Sequence, residues 1–408
     1  MKIVIVSGFY STGMGYSENC LPKTLAILGH DVHVITSCLN VYGNLPDYDN
    51  TYKPFLGNAD QGTSIFRTDG YTVHRLPSTF IFGYVYIKGM YKKLKQLLPD
   101  VVQSTEIASV NTFKLATIKP LLGFKLFCET HQHLSVIKPY LKNNEPRFLV
   151  ERFVYKITRT LPSYIASLFI EKCYAIAPDC AMVANLYYGV PSAKIKLQSL
   201  GTDTELFRPV TSETEKAGRR ALRKKFGFED NDIVCIYTGR FSEDKNPLLL
   251  ANAIDEISKS EKPIFHGIFI GEGVQREKMK DKSKVYILPF MKHTDLVSYY
   301  NMADIAVWPR QESMSMLDAA ASGLPLVVTD KIGDKNRVTG NGKTYRENDV
   351  KDLKRILLGL SDKKNREELG LKGREKMVSL YSWINIAKEI ESDYREALKK
   401  ETVESKNN

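Results

Sequence analysis

The sequence predicts an α/β protein built from two doubly wound domains with mostly parallel sheets. Short apolar segments typical of strands alternate with helical patterns from one end of the 408-residue chain to the other. A chain of this length is too long to fold around a single hydrophobic core of ordinary size. Parallel strands also need crossover helices between them. The hydrophobic fraction of 43% and the charged fraction of 26% are ordinary for a globular protein.

The individual elements follow from this alternation. In the first half, strands are expected at 2–6, 31–36, 71–76, 100–103 and 124–129. Apolar residues recur at helical spacing in 17–29, 85–97 and 107–118. The second half repeats the arrangement, with strands expected at 232–239, 264–271, 284–289, 304–309 and 324–328.

The boundary between the domains is expected in the turn-rich stretch LGTDTELFRP, residues 200–209. The charged segment SETEKAGRRALRKKF then opens the next helix. The sequence therefore predicts domains at 1–205 and 206–382, a final helix at 383–398 and a polar tail at 399–408.

Charge and cysteine content limit the class of protein. The net charge is +11, and the first 200 residues carry most of it, with 21 basic and 13 acidic side chains. Such a surplus could face phosphates, nucleic acid or an anionic membrane, or serve only solubility.

The six cysteines contain no CxxC pair, which favours reduced core residues in a cytosolic protein. The start MKIVIVSGFY does not resemble a signal peptide, and no apolar run reaches the roughly 18 residues of a membrane span.

Ligands of doubly wound sheets bind beyond the carboxyl ends of the strands, and the first loop there contains Gly13 and Gly15. Glycine lets the backbone approach a ligand or adopt a positive φ. Contact with a phosphate is one interpretation of this loop, and an ordinary turn is the other.

Two histidines, His131 and His133, follow the strand expected at 124–129. A histidine at this place can donate to a sugar hydroxyl or transfer a proton, or can be purely structural. A metal site is not expected, because the sequence offers no acid-rich cluster as a partner for the pair.

Two cations, Arg240 and Lys245, follow the strand expected at 232–239. A guanidinium and an ammonium group converging on a strand end suit a diphosphate. Alternatively, Glu243 and Asp244 neutralise the two cations in a solvated loop.

The segment PRQESMSMLDAAASGLPLVV, residues 309–328, leads from a strand end into a helix of small residues. Main-chain amides of Ser313 to Ser315 would point at an anion in front of that helix, and Glu312 could accept hydrogen bonds from hydroxyls. In the other interpretation, Ser315 and Asp318 form a capping box that serves only the helix.

Taken together, these segments resemble the retaining GT-B glycosyltransferases, in particular glycosyltransferase family 4 (group 1). The family's motifs occur in its order: MKIVIVS…GMG…LAILGHDVHVIT, YYGVPSAKIKLQSLGTDTELFRP, TGRFSEDKNP, FIGEGVQREKMK, SYYNMADIAVWP, LDAAASGLPLVV and YSWINIAKEIESDY. The resemblance covers nearly the whole chain. It implies two doubly wound Rossmann-like domains facing a central cleft, with the C-terminal helix packed back onto the first domain.

The resemblance also implies a nucleotide-sugar donor and no cofactor or essential metal. Arg240 and Lys245 would bind the donor's diphosphate, Asp318 its ribose, and His131 would lie beside the sugar. The implied catalytic set is His131, Arg240, Lys245 and Glu312; the implied donor-binding set is Gly13, Gly15, Gly239, Gly271, Phe290, Met291, Ser313, Met314, Ser315 and Asp318.

The spacing of the two acids departs from the family pattern, which separates them by seven residues and has Gly-Phe-Gly after the first. Arg310 occupies the place of the first acid, and Glu312 leaves only five residues before Asp318. A loop shorter by two residues would give Glu312 the role of the first acid; otherwise that role is lost. Pro289 also stands where the family often has Gly.

We therefore expect a glycosyltransferase that moves a sugar from a UDP- or GDP-sugar to a saccharide or lipid-linked saccharide, in bacterial surface-polysaccharide assembly. The alternative is a nucleotide-sugar-binding protein with weak or no transfer. Nucleic-acid binding lacks any recognised module. Residues 137–173 suit either a helix on an anionic membrane, at the cytoplasmic face, or an ordinary amphipathic helix packed on the sheet.

Overall fold

The computed structural model describes residues 1–46, 48–81, 84–137, 146–259 and 263–407. The chain forms two compact units. The first comprises Met1–Leu200 with Ile386–Asn408, and the second comprises Gly201–Asn385. The expected boundary at 205/206 lies five residues beyond this division.

The first unit is built on one large sheet and a small hairpin. Its described strands are β1 (Lys2–Ser7), β2 (Asp31–Ser37), β3 (Ser64–Thr68), β4 (Tyr71–Leu76), β5 (Ser78–Ile81), β6 (Tyr84–Ile87), β7 (Val101–Ser104), β8 (Lys125–Thr130), β9 (Cys173–Ala175) and β10 (Ile195–Leu197). Eight of them form a sheet in the order β10-β9-β8-β7-β1-β2-β4-β3. All neighbours in it are parallel except β3, which is antiparallel to β4, and β5 pairs with β6 alone.

Helices connect these strands. They are α1 (Ser17–Ile27), α2 (Tyr48–Thr51), α3 (Lys53–Leu56), α4 (Met90–Leu97), α5 (Val110–Leu122), α6 (Pro146–Tyr155), α7 (Leu161–Phe169) and α8 (Pro178–Tyr188). A π-helical turn, Lys156–Thr160, joins α6 to α7, so that the chain is helical from 146 to 169.

The second unit has a single parallel sheet. Its described strands are β11 (Ile233–Thr238), β12 (Phe265–Ile270), β13 (Val285–Leu288), β14 (Ile305–Trp308), β15 (Leu326–Thr329) and β16 (Gly342–Tyr345), in the order β13-β12-β11-β14-β15-β16. The order reverses between β11 and β14, which is the switch point where doubly wound sheets bind ligands.

The helices of the second unit are α9 (Glu213–Lys225), α10 (Pro247–Ile257), α11 (Arg276–Met279), α12 (Leu296–Met302), α13 (Ser315–Ala321), α14 (Val350–Gly359) and α15 (Lys363–Leu380). The last helix, α16 (Trp383–Asn407), leaves this unit and continues into the first. Helix α9 begins with a capping box, in which the side chains of Ser212 and Glu215 bond each other's main-chain N–H groups.

Burial explains why these segments form strands. All six residues of β11 and all six of β12 are buried, as expected for central strands that helices cover on both faces. Their apolar side chains join Trp308 and the small residues of α13 in one continuous core. This core holds the loops that follow β11 and β14 in fixed positions.

The structure confirms the ten expected strands and the two-unit α/β architecture. The helix expected at 85–97 is wrong at its start, because 84–87 pairs with β5 as a strand and α4 begins at Met90. Helix α16 runs to Asn407, nine residues beyond its expected end. The short strands β3, β5, β6, β9, β10 and β16 were not expected.

Helix α16 is anchored to the first unit by polar contacts. Asp393 accepts hydrogen bonds from the ammonium groups of Lys172 at 2.6 Å and Lys196 at 3.1 Å. The hydroxyl of Tyr394 donates to the side-chain oxygen of Gln103 at 2.5 Å. The final helix therefore completes the first sheet's polar network.

Candidate active site

In the second unit, the loops after β11 and β12 lie in direct backbone contact. Gly239 and Gly271 follow these strands with φ of 145° and 153°. A Cβ atom on Gly271 would lie 1.9 Å from the carbonyl oxygen of Gly239. Only glycine fits there, so the two predicted donor-site glycines set the close approach of these loops.

Arg240 and Lys245 lie on the loop after β11, as expected. The Lys245 side chain is half-buried and its Nζ donates to the main-chain oxygen of Glu312 at 2.5 Å. Burial lowers the pKa of Lys245, and the positive charge of Arg240 lowers it further, against the charge of Asp244. The Arg240 side chain is 54% exposed and lies 3.7 Å from Asp244, so its charge is partly neutralised in a solvated loop.

The loop before α13 is held by contacts other than a capping box. Helix α13 begins after Met314 without a side-chain cap, so the capping-box interpretation is wrong. The hydroxyls of Ser313 and Ser315 are 2.7 Å apart, and Met314 packs against the core. Since α13 has only seven residues, charge at this loop depends more on Lys245 than on a helix dipole.

Glu312 is fixed by two groups on the following loop. One carboxylate oxygen accepts a hydrogen bond from the main-chain N–H of Asp334 at 2.8 Å, and the other lies 3.1 Å from the guanidinium of Arg337. Arg337 is buried and also approaches the Asp334 carboxylate at 3.3 Å. The carboxylate of Glu312 thus braces this loop, while its main-chain oxygen faces Lys245.

Asp318 is buried, and both of its carboxylate oxygens have protein partners. Oδ1 accepts a hydrogen bond from Thr202 Oγ1 at 2.6 Å, and Oδ2 lies 2.8 Å from His293 Nε2. The His293 ring also packs against Phe207, with centroids 4.7 Å apart. Sequence reasoning missed His293, because no local pattern links it to Asp318. That Asp318 binds a ribose stays a prediction.

Phe290 and Met291 lie in the loop after β13, where the resemblance places the base. Both side chains are half-buried, and Met291 packs against the core of the second unit. Contact of Phe290 and Met291 with a base stays a prediction, and the neighbouring Pro289 is exposed.

In the first unit, His131 lies at the end of β8 in a network of acids. Its Nε2 is 2.7 Å from a carboxylate oxygen of Glu129, whose other oxygen accepts a hydrogen bond from Gln103 at 2.6 Å. The main-chain N–H of His131 donates to Glu106 at 3.2 Å. Burial alone would lower the pKa of His131, but the hydrogen bond and charge of Glu129 raise it. The imidazole is therefore disposed to carry a proton.

A cavity of about 370 Å³ lies beside these acids. Its lining includes Tyr16, Glu18, Tyr42, Glu106 and Asn111. Burial raises the pKa of Glu18 to about 7 and also raises that of Glu106. Sequence reasoning missed both acids.

Gly13 and Gly15 lie in the loop between β1 and α1 with φ of 78° and 70°. Both are in the left-handed region that glycine favours, as the sequence predicted for this turn. Contact of this loop with phosphate stays a prediction.

The second histidine, His133, has partners different from those of His131. Its Nδ1 lies 3.1 Å from both carboxylate oxygens of Asp179 and 3.7 Å from the sulfur of Cys180. Asp179 and Cys180 begin α8, 46 residues or more farther along the chain. The sequence gave no reason to pair them.

Comparison with protein families and curated relatives finds similarity to sugar transferases. Residues 218–376 match the family model described as Glycosyl transferases group 1. Spore coat protein SA of Bacillus subtilis is 26% identical over 227 residues, which span 50% of this chain and 60% of that protein. Alpha-monoglucosyldiacylglycerol synthase of Acholeplasma laidlawii is 24% identical over 423 residues, covering 100% of this chain and 98% of that one.

Solved structures share the fold. Sucrose-phosphate synthase from Thermosynechococcus elongatus has a TM-score of 0.65 at 17% identity, covering 97% of this chain and 99% of its own. HepE of Anabaena in complex with UDP-glucose has a TM-score of 0.65 at 15% identity, covering 96% and 98%. The second unit of the chain therefore resembles the group 1 glycosyltransferases over residues 218–376, and the chain has the GT-B fold of these structures.

Proposed function

We propose that this glycosyltransferase moves a sugar from a UDP- or GDP-sugar to a saccharide or lipid-linked saccharide, with retention of configuration at the transferred carbon. The second unit would bind the donor, and the first would bind the acceptor. The match of residues 218–376 to the group 1 glycosyltransferase model supports the transfer reaction, and the site geometry supports the division of roles.

The observation that carries this proposal is the position of Lys245. Its ammonium group lies at the end of β11, beside the loop before α13, and Arg240 lies on the same loop. As the bond from sugar to phosphate breaks, negative charge develops on the leaving diphosphate. Cations fixed in advance at that place stabilise this charge without reorganisation, which is the largest contribution expected in such a site.

With two cations to neutralise the diphosphate, the reaction would need no bound metal or other cofactor. Retention would not require a side-chain nucleophile either, since the leaving phosphate can help to remove the acceptor's proton on the same face of the sugar. Here Glu312 would act by positioning, because its carboxylate is held by Arg337 and the Asp334 amide.

The cavity of the first unit suits the acceptor. Tyrosine rings and amides beside the carboxyl groups of Glu18 and Glu106 provide stacking surfaces and hydrogen-bond acceptors for hydroxyl groups. Adding negative charge to this lining would be unfavourable, so an uncharged saccharide fits better than a phosphorylated one. The first unit's His131 would contact the sugar, as the resemblance implies.

The helical segment 150–168 supports a membrane-bound acceptor. Its apolar side chains recur at helical spacing and are exposed: Val150, Phe153, Val154, Ile157, Leu161, Tyr164 and Leu168. The opposite face buries small residues, among them Ala166 and Ser167. A helix that packs on the sheet would bury its apolar stripe, whereas this one exposes it. Residues 138–145 of the expected segment lie outside the described residues.

Basic residues accompany this stripe. Between 150 and 168 the segment carries Arg152, Lys156 and Arg159 against one acid, Glu151. An apolar face flanked by cations is typical of helices that lie in the surface of an anionic membrane. Within the described residues, no helix is long and apolar enough to cross a membrane.

The names of two similar proteins support a lipid-linked acceptor and work at a membrane surface. The Acholeplasma relative is named for a glucosyldiacylglycerol product, and the structural neighbour WaaG is described as involved in lipopolysaccharide biosynthesis. We propose that this chain likewise works on the cytoplasmic face of the membrane, in bacterial surface-polysaccharide assembly.

One observation favours a second candidate, a nucleotide-sugar-binding protein with weak transfer. The two acids that the family pattern would direct at the donor, Glu312 and Asp318, already have protein partners for all four carboxylate oxygens. Such a protein would bind the donor but transfer its sugar only weakly or not at all.

Calorimetric titration with UDP, GDP, ADP and CMP, each with and without EDTA, tests the proposal. We expect one diphosphate to bind regardless of EDTA and the Lys245→Ala variant to lose that binding. The matching nucleotide sugars are then screened for hydrolysis and transfer. Binding without turnover would support the second candidate, and absence of binding by every nucleotide would contradict both.

A further inference from the structure

Three side chains with different donor atoms meet at one edge of the first unit. His133 lies in the loop after β8, and Asp179 and Cys180 are consecutive residues in the first turn of α8. Their candidate ligand atoms, one nitrogen, one oxygen and one sulfur, lie within 4.8 Å of one another. None of the three is used in the proposed transfer reaction.

The two spacings from His133 Nδ1 are close to the edges of a metal coordination tetrahedron. The His133 Nδ1 atom is 3.1 Å from the Asp179 carboxylate oxygens and 3.7 Å from the Cys180 sulfur. Zinc bonds of about 2.0 Å to nitrogen or oxygen and about 2.3 Å to sulfur give tetrahedral edges of about 3.3 and 3.5 Å. An ion could therefore bind all three with small side-chain movements.

We propose that His133, Asp179 and Cys180 bind a zinc ion, with a fourth position open to water. Imidazole, carboxylate and thiolate together favour zinc over magnesium or calcium, which prefer oxygen ligands alone. Binding replaces the proton of the Cys180 thiol, which passes to solvent, while His133 binds through Nδ1 as the neutral imidazole with its one N–H on Nε2.

The surroundings provide access and orientation. The side chains of His133 and Asp179 are 47% and 40% exposed, so an ion can enter from solvent, while Cys180 is buried. The main-chain N–H of Leu134 donates to Asp179 Oδ2 at 3.1 Å and orients the carboxylate. The ion would tie the loop that carries His131 and His133 to the start of α8.

A simpler interpretation is that His133 and Asp179 only share a hydrogen bond. Cobalt(II) distinguishes the two, because it substitutes for zinc and gives a thiolate-to-cobalt charge-transfer band when a cysteine is a ligand. The full-length protein, stripped with chelator, is titrated with Co²⁺ and then with Zn²⁺, next to the variants Cys180→Ser, His133→Ala and Asp179→Asn. Cys38→Ser is the matched control, since Cys38 lies elsewhere in the unit.

We expect a saturable thiolate band in the wild type and in Cys38→Ser that Zn²⁺ abolishes. Cys180→Ser should lack the band, and His133→Ala and Asp179→Asn should weaken Co²⁺ binding at least about 100-fold, since even outer-sphere partners contribute 10- to 100-fold. Circular dichroism of each variant checks that it is folded.

A wild type without the band, or a band that persists in Cys180→Ser, would overturn the proposal. The readout is the spectrum of the bound metal and uses neither nucleotide nor acceptor. Failure of the zinc site therefore leaves the proposed transfer reaction untouched, and the reverse also holds.

Discussion

The Nζ atom of Lys245 donates a hydrogen bond to the main-chain oxygen of Glu312 at 2.5 Å. This bond joins the loop after β11 to the loop before α13, two segments 67 residues apart in sequence. It fixes an ammonium group at the switch point of the second sheet, where a donor's diphosphate would bind.

Removal of either cation should abolish most of the transfer activity. We expect Lys245→Ala and Arg240→Ala each to lower kcat/KM by about 10²- to 10³-fold, because each loses a charge that stabilises the leaving diphosphate. Steady-state kinetics with the matching nucleotide sugar measures this loss. Lys280→Ala, which removes an exposed cation of the same unit, should be near normal. Near-normal rates in both site variants would contradict the proposal that Arg240 and Lys245 bind the donor's diphosphate.

The effects of removing Glu312 and Arg337 on activity should not be additive. If Glu312 acts by bracing the loop, Glu312→Ala and Arg337→Ala should lower activity by similar factors, and the double variant should be little worse than either. A direct contact of Glu312 with the sugar would instead make its loss much more damaging than that of Arg337. Kinetics of the two single variants and the double variant separates the cases. Arg337→Ala should also destabilise the protein by about 3–5 kcal/mol, since it leaves a partly buried carboxylate unpaired.

The exposed stripe of 150–168 should bind anionic membranes. We expect the double variant Phe153→Glu/Ile157→Glu to lose flotation with liposomes that contain an anionic lipid, because it places two negative charges in the apolar face. Leu371→Glu, at an exposed apolar residue of the second unit, is the matched control and should float like the wild type. If the wild type does not float with these liposomes, the membrane proposal is wrong.

Glu18 should make the protein less stable as the pH rises. Its pKa in the folded state is raised to about 7, so the folded protein keeps a proton between about pH 4.5 and 7 that the unfolded chain releases. Stability from this residue is therefore complete below that range and is lost as the pH rises through it. Glu18→Gln removes the titration and should be more stable than the wild type at pH 8, by on the order of 3 kcal/mol.

Urea unfolding at pH 5 and pH 8 measures this difference, with Glu277→Gln, at an exposed acid, as the control. The difference in the free energy of unfolding between the wild type and Glu18→Gln should be larger at pH 8 than at pH 5. Because the pKa of His131 is also raised, the same pH dependence should persist in weakened form in the variant. Equal differences at both pH values would contradict the buried position of the Glu18 carboxyl group.

Much of the fold could be predicted because central parallel strands are buried on both faces and form continuous apolar runs, as β11 and β12 do. The missed strands are short or lie near sheet edges, where packing rather than composition decides. For example, the three residues of β9 become a strand only by pairing with β8 and β10.

The candidate site could likewise be predicted only in part. Local patterns locate Gly239, Arg240 and Lys245, because a strand end and a following helix position them. They do not reveal that Asp318 bonds Thr202, 116 residues away, in place of the capping box that one interpretation of the sequence offered. Tertiary pairing of polar groups has no signature within a single segment.

The return of α16 to the first unit has a consequence for synthesis on the ribosome. Gln103 connects Glu129, and through it His131, to Tyr394, so the support of this histidine is finished only when the last helix emerges. Nearly all of the second unit is translated before that moment, and it can fold as a domain while the first is still incomplete. A chain released early would thus carry a finished second unit and a first unit whose sheet still lacks the partners of Lys172, Lys196 and Gln103.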